Sequence, residues 1–113
     1  MKYVYIVSSS IDGTADTIIG VFEDLTEAKK CAEAMSIATA REWSSSIIYL
    51  EVFKTVQKGD YPKHWDDRHM VTARWLDDFG KIRTINVLYY ITQRTLNQCI
   101  AETEEYKNIV KGL

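Results

Sequence analysis

The beginning of the chain has the two-residue period of a β-strand, in which Val4 and Ile6 alternate with tyrosines and Ile19 and Val21 alternate with Gly20 and Phe22. Residues 2–8 (KYVYIVS) and 17–23 (TIIGVFE) are both rich in β-branched and aromatic side chains. Between them, the dipeptide Asp12-Gly13 tolerates positive φ and favours a turn. We therefore expect an antiparallel hairpin whose loop is longer than a two-residue turn.

The pattern changes to helical spacing directly after the second predicted strand. Apolar side chains then recur every three or four residues, at Leu25, Ala28, Ala32 and Met35. Asp24, followed three residues later by Glu27, matches the capping box that begins many helices. Residues 25–42 are therefore predicted to form an amphipathic helix.

Residues 47–56 (IIYLEVFKTV) alternate again and predict a third strand. The hairpin, the helix and this strand together predict a ββαβ unit over residues 2–56, in which the helix covers one sheet face. Residues 57–65 contain the only proline and a Gly-Asp pair, so they predict a loop.

The segment of residues 66–79 can be interpreted in two ways. It can be a helix that is capped by Asp66 or Asp67 and stopped by Gly80, or a strand over residues 70–76. The capping residues favour the helix, which we take as the prediction.

The end of the chain is also open to two interpretations. Residues 81–92 are dense in β-branched and aromatic side chains and predict a fourth strand, followed by a terminal helix over residues 93–111. The apolar spacing from Ile85 onwards also fits one long helix, and a helix of this kind would favour a homodimer. We expect a single α+β domain, with an antiparallel sheet of about four strands, helices packed on one face and a C-terminal helix.

Charge and composition exclude some classes of protein. With 14 basic and 16 acidic residues, the formal net charge of -2 is too small for bulk attraction to phosphate backbones or anionic membranes. No apolar run approaches the ~20 residues that span a bilayer. Cys31 and Cys99 fall on apolar positions of predicted helices without a CxxC pair. We therefore expect free thiols, no membrane association and a cytoplasmic location.

The sequence contains no recognisable catalytic or cofactor motif. It lacks a Gly-x-Ser-x-Gly nucleophile turn and a phosphate-binding glycine loop. His64 and His69 flank Asp66 and Asp67, but side chains five residues apart point about 140° apart on a helix and to opposite faces of a strand. We predict no enzyme activity, no cofactor and no metal site; a small metal-dependent hydrolase or nuclease is a lesser alternative.

Aromatic and basic residues in the second half predict a protein contact surface. Tyr, Trp and Arg are enriched at interface hot spots because they bury large areas or donate fork-like hydrogen bonds. The predicted partner-binding residues are Tyr61, His64, Trp65, Arg68, Arg74 and Trp75. Either Trp65 or Trp75 could equally belong to the core.

Nucleic-acid binding is the alternative interpretation of this half. Cations can follow a phosphate backbone while bases stack on aromatic rings such as Tyr89 and Tyr90. The candidate cations are Arg74, Lys81, Arg83 and Arg94. No RNA-recognition, helix-turn-helix or KH signature accompanies them.

The segments KYVYIV, IIGVFEDLTEAKKCAEAM and IYLEVF together resemble small hairpin–helix–strand domains of phage and mobile-element proteins. In those domains the helix follows a Gly-Val-Phe triplet and then a Glu-Ala pair, matched here by residues 20–22 and 27–28. The resemblance covers residues 2–56 and assigns no functional residues. It implies a non-enzymatic inhibitor that binds a host defence complex, similar in style to anti-CRISPR proteins.

Overall fold

A computed structural model of the chain describes residues 3–12, 14–46, 48–58, 68–95 and 104–113. Its elements are β1 (Tyr3–Ile11), β2 (Thr17–Phe22), α1 (Leu25–Ser44), β3 (Glu51–Gln57), β4 (Arg68–Leu76), β5 (Ile82–Thr95) and α2 (Glu104–Lys111). The strands form one antiparallel sheet in the order β2-β1-β5-β4-β3. The predicted α+β class is confirmed, with five strands rather than four.

The helix predicted over residues 66–79 is wrong, because residues 68–76 form the strand β4. β4 pairs along its length with β3 on one side and β5 on the other. Val71 and Ala73 on one face and Thr72 on the other are buried, as the position of β4 inside the sheet requires. Pairing with distant strands outweighs the local capping signal, since tertiary context routinely overrides helix propensity.

The long helix considered from Ile85 is also wrong, because β5 extends from Ile82 to Thr95. It pairs with β1 as far as the match of Tyr3 with Thr95, three residues beyond the predicted strand end. The predicted terminal helix over residues 93–111 is reduced to Glu104–Lys111 within the described residues. β3 likewise begins at Glu51, later than predicted.

The helix α1 packs on one face of the sheet through small side chains. The Asp24 half of its predicted capping box is confirmed, since the Asp24 side chain accepts a hydrogen bond from the amide of Thr26 at 2.9 Å. The Glu27 carboxylate instead accepts from Nζ of Lys30 at 3.4 Å. Ala28, Ala32 and Ser36 are buried on α1. They lie over a core formed by Val7, Val71, Val87, Tyr89 and Ile91. Small residues at these positions let the helix approach the sheet closely.

The predicted ββαβ unit of residues 2–56 is not continuous in the sheet. β1 pairs with β2 and with β5, and both β5 and β4 lie between β1 and β3. The two halves of the chain are therefore interleaved in one sheet.

The turn between β4 and β5 is built around the carboxylate of Asp77. Its Oδ1 accepts from the amides of Phe79 and Lys81, each at 2.9 Å, and its Oδ2 accepts from Nε of Arg83 at 2.8 Å. Gly80 adopts a φ of 75°, which residues with side chains rarely do. The Lys81 amide is the largest cause of a lowered pKa of the Asp77 carboxyl; Arg83 and the Phe79 amide add to it, against an opposing desolvation.

We expect Asp77→Asn to destabilise the protein near neutral pH but not at low pH. A carboxyl whose pKa falls on folding stabilises the native state above its unfolded pKa, ordinarily about 3.9, and this contribution disappears as the pH falls through the native pKa. The difference between the urea midpoints of wild type and variant should therefore be largest near neutral pH. Asp78→Asn removes an adjacent charge and is the control. A difference independent of pH would contradict the assignment.

The terminal helix α2 follows the sheet. Within the part of the chain that the structure describes, its backbone does not approach that of α1 or of any strand. Ile109, Val110 and Leu113 are all exposed at its end. The homodimer expected through this helix stays a prediction. No helix in the described ranges has the length and hydropathy that crossing a membrane requires.

Candidate interaction face of the sheet

One face of the sheet carries α1, and the opposite face carries no described helix; we call the second one the open face. Side chains alternate between the two faces along each strand, so the open face holds the neighbours of the core positions. On β5 it holds Ile82, Thr84, Asn86, Leu88, Tyr90, Thr92 and Arg94, and on β4 it holds Arg68, Met70, Thr72, Arg74 and Leu76.

A shallow groove crosses the middle of the open face. Ser10 on β1 pairs with Leu88, Leu88 pairs with Met70, and Met70 pairs with Thr55 on β3. A depression of 440 Å³ is lined by Ser10, Asp12, Met70, Asn86 and Leu88, and an adjoining one of 110 Å³ is lined by Thr55, Val56, Gln57, Arg68, Met70 and Leu88. Met70 and Leu88 belong to both depressions, so they form an apolar floor between polar walls.

Tyr90 lies on the open face beside the groove, two residues after Leu88 on β5. Tyr90 pairs across the sheet with Ser8, and its hydroxyl donates to Oδ2 of Asp16. Burial is the largest cause of the raised pKa of Tyr90, followed by Asp16, while Ser8 and Arg68 act in the opposite direction. Tyr90 is therefore a neutral hydrogen-bond donor at physiological pH, and it ties the loop before β2 to the sheet.

One wall of the groove contains Asn86, which a polar pair in the centre of the sheet holds in place. The Thr72 hydroxyl, which is buried, donates to Oδ1 of Asn86 at 2.7 Å. The backbone amide of Asn86 donates to Oδ1 of Asp12 at 2.9 Å. These bonds satisfy polar groups that would be costly to leave unpaired, and they fix the shape of this wall.

Arg74 lies beyond this wall and is oriented by two neighbours on β3. Its guanidinium carbon is 5.3 Å from the centroid of the Phe53 ring, and its Nη1 is 3.4 Å from Oε2 of Glu51. A cation over an aromatic ring at an exposed site gains about 0.5–1 kcal/mol, and an exposed ion pair adds little. The contacts therefore orient the arginine more than they stabilise the fold.

The structure separates the predicted partner-binding residues. Arg68 and Arg74 are both exposed on the open face. Trp75 lies on the opposite, helix-covered face, where its ring is 5.6 Å from that of Tyr49, which in turn is 5.9 Å from that of Trp43. The remaining three predicted residues, Tyr61, His64 and Trp65, lie outside the described residues.

The four candidate nucleic-acid-binding cations do not form one patch. Arg74 and Arg94 share the open face, but Thr84, the partner of Arg74 on β5, lies ten residues before Arg94. That separation is about 33 Å along an extended strand. Arg83 lies on the helix-covered face, and Lys81 belongs to the turn before β5.

The described residues contain no group of three or more His, Cys, Asp or Glu side chains that could hold a metal ion. His69 is buried on the helix-covered face, where it pairs with Tyr89. The other candidate ligands, His64, Asp66 and Asp67, lie outside the described residues.

The Cys31 thiol is free, as predicted, and lies half-buried on α1. Burial raises its pKa above the ordinary value, so the thiol stays protonated at neutral pH and is a poor nucleophile. Cys99 lies outside the described residues.

Sequence reasoning missed Met70, Leu88 and Phe53 as surface candidates. The alternation of β5 did place Leu88 and Tyr90 together on one face. It could not show which face α1 covers, and the helix predicted over residues 66–79 concealed the alternation of Met70 with Val71.

No protein-family model, curated protein or solved structure matches this chain significantly. The site therefore has to be interpreted from its own geometry.

Proposed function

We propose that this protein is a non-enzymatic protein-binding module whose open face, centred on the Met70–Leu88 groove, is the contact surface. The observation that supports this most directly is an apolar floor left uncovered on a sheet that packs a helix on its other face only, within the described residues. Burying apolar surface of this kind against a partner removes it from water and so favours binding.

The composition of the face fits protein recognition. Met, Tyr, Phe and Arg are enriched at protein interfaces, and here Met70, Tyr90, Phe53, Arg68 and Arg74 surround or form the groove. The floor lies on two strands that are paired on both sides, so binding costs little backbone ordering.

The finer form of the proposal is an inhibitor of phage type that occupies a host defence complex. Its support is the resemblance of residues 2–56 to small phage and mobile-element domains. Occupying such a complex stoichiometrically requires a contact surface and no catalytic centre.

We expect Leu88→Lys to reduce partner capture by about thirtyfold, because a charge placed on an apolar floor must be desolvated without a partner, and truncating or disrupting a hot spot typically costs 2 kcal/mol or more. Tagged protein would be incubated with nuclease-treated host lysate, and captured proteins quantified by mass spectrometry.

Ile82→Lys is the matched control, since Ile82 is exposed on the same face but lies outside the groove, six residues and about 20 Å along β5 from Leu88. Its capture and its melting curve should resemble those of the wild type. Equal capture by the wild type and the Leu88 variant, with both folded by circular dichroism, would contradict the open face as the binding surface.

A further inference from the structure

The outer edge of β2 is a second feature that the groove does not explain. β2 is the outermost strand, and on the side away from β1 it pairs with no described strand. Ile18 and Val21 are 63% and 57% exposed, and Ile19 is 36% exposed. An edge of this kind presents unpaired backbone donors and acceptors beside exposed β-branched side chains.

The two edges of the sheet differ in how they are protected. β3, the opposite edge, carries Glu51 and Lys54, and charged side chains discourage pairing with another strand. β2, from Thr17 to Phe22, contains no charged residue and no proline. A bulge opposite Val7 and Ser8 bends β2, but it adds no charge to the edge. Of the two edges, β2 is therefore the one open to strand addition.

The chain segment that contains β2 is acidic, although Glu27 at its end pairs with Lys30 at 3.4 Å. Residues 3–28 include no Lys or Arg, although the whole chain is nearly neutral. Their acidic residues are Asp12, Asp16, Glu23, Asp24 and Glu27. Asp16 and Glu23 directly flank the strand, so any chain that pairs with β2 ends close to negative charge at both ends.

We propose that β2 binds an extended segment of another protein by strand addition, and that this segment has an apolar core flanked by Lys or Arg. The backbone of β2 supplies the hydrogen bonds, Ile18 and Val21 supply apolar contacts, and the acidic flanks select basic ends. This surface lies at the sheet edge, one strand beyond the border of the groove that Ser10 and Asp12 form, and it extends the proposed function to a second contact.

A second copy of the chain is a poorer occupant of this edge. Antiparallel pairing of two β2 strands about their centre would place Asp16 of each copy near Glu23 of the other. Like charges directly opposite one another across a strand pair are destabilising. Charge complementarity therefore favours a basic segment over self-association.

The proposal is tested with a synthetic peptide that has a core of alternating valine and threonine between pairs of lysines. The peptide is added to isotope-labelled full-length protein. Binding should shift the NMR signals of the β2 amides and protect these amides from hydrogen exchange, and the affinity should fall with added salt. The same peptide with glutamates in place of the lysines should bind more weakly by about tenfold or by a larger factor. Equal binding of both peptides, or shifts confined to other strands, would overturn the proposal.

Ile18→Lys should weaken binding of the lysine peptide about tenfold by placing a like charge beside the incoming strand. Ile82→Lys is again the matched control, because Ile82 is 66% exposed and Ile18 is 63% exposed. Leu88→Lys should leave peptide binding unchanged. A failure of the strand-addition proposal can therefore be distinguished from a failure of the proposal that the open face binds a partner. Concentration-dependent dimerisation through β2 without peptide would overturn the choice of occupant.

Discussion

Tyr89→Ala should lower the free energy of unfolding by about 3–5 kcal/mol, the range seen when a large aromatic ring is removed from a core. Tyr89 is 6% exposed on β5 and belongs to the buried cluster beneath α1. Its hydroxyl is 2.7 Å from Oγ1 of Thr39, so the ring also ties the helix to the sheet. Urea unfolding followed by circular dichroism would measure the change.

Tyr89→Phe separates the two contributions. It keeps the ring and removes only the hydrogen bond, so a loss of about 1 kcal/mol is expected. Combining it with Thr39→Val should cost less than the sum of the single changes, since the partner hydroxyl is then no longer left unpaired. A Tyr89→Ala protein as stable as the wild type would show that this ring does not anchor α1.

Trp75→Ala should lower the free energy of unfolding by about 2–4 kcal/mol while leaving partner capture unchanged. Trp75 is half-buried on the helix-covered face and continues an aromatic series through Tyr49 to Trp43. Removing its ring deletes the edge-to-face contact with Tyr49. Thermal melts and the lysate capture assay would measure the two quantities separately.

Arg74→Ala is the matched variant, because Arg74 is adjacent in sequence but lies on the open face. It should change stability by less than about 1 kcal/mol and reduce partner capture. The opposite pattern, with Trp75→Ala losing capture at an unchanged melting temperature, would support the original prediction that Trp75 contacts the partner.

The first half of the fold could be predicted because its signals are local. β1 and β2 are strongly alternating, and α1 begins at the residue that the Asp24 cap indicates. These features depend on near neighbours in sequence, which strand periods and capping chemistry describe well.

The second half of the fold was harder to predict, because its sequence patterns fit both a helix and a strand. Gly80 follows Phe79 as a glycine follows the end of a helix, but its positive φ serves a hairpin turn. The identity of β4 as a strand depends on β3 and β5, which lie elsewhere in the sequence. A residue pattern does not contain that pairing.

The candidate site was predicted only in part for a similar reason. Arg68 and Arg74 were identified by residue type, and the structure places both on the open face. Trp75 has the same interface-prone chemistry, but a one-residue step along a strand reverses the face that a side chain occupies. The floor of Met70 and Leu88 carries no distinctive chemistry and becomes visible only once the sheet is assembled.

The position of β5 beside β1 has a consequence during translation. Tyr3 pairs with Thr95, so β1 leaves the ribosome well before β5, the strand with which it pairs. Until β5 is made, both outer edges of the β1–β2 hairpin are unpaired and the hydrophobic core is incomplete. Pairing between strands that are distant in sequence slows folding. A nascent chain released before β5 emerges would expose these unpaired strand edges to chaperones or to other nascent chains.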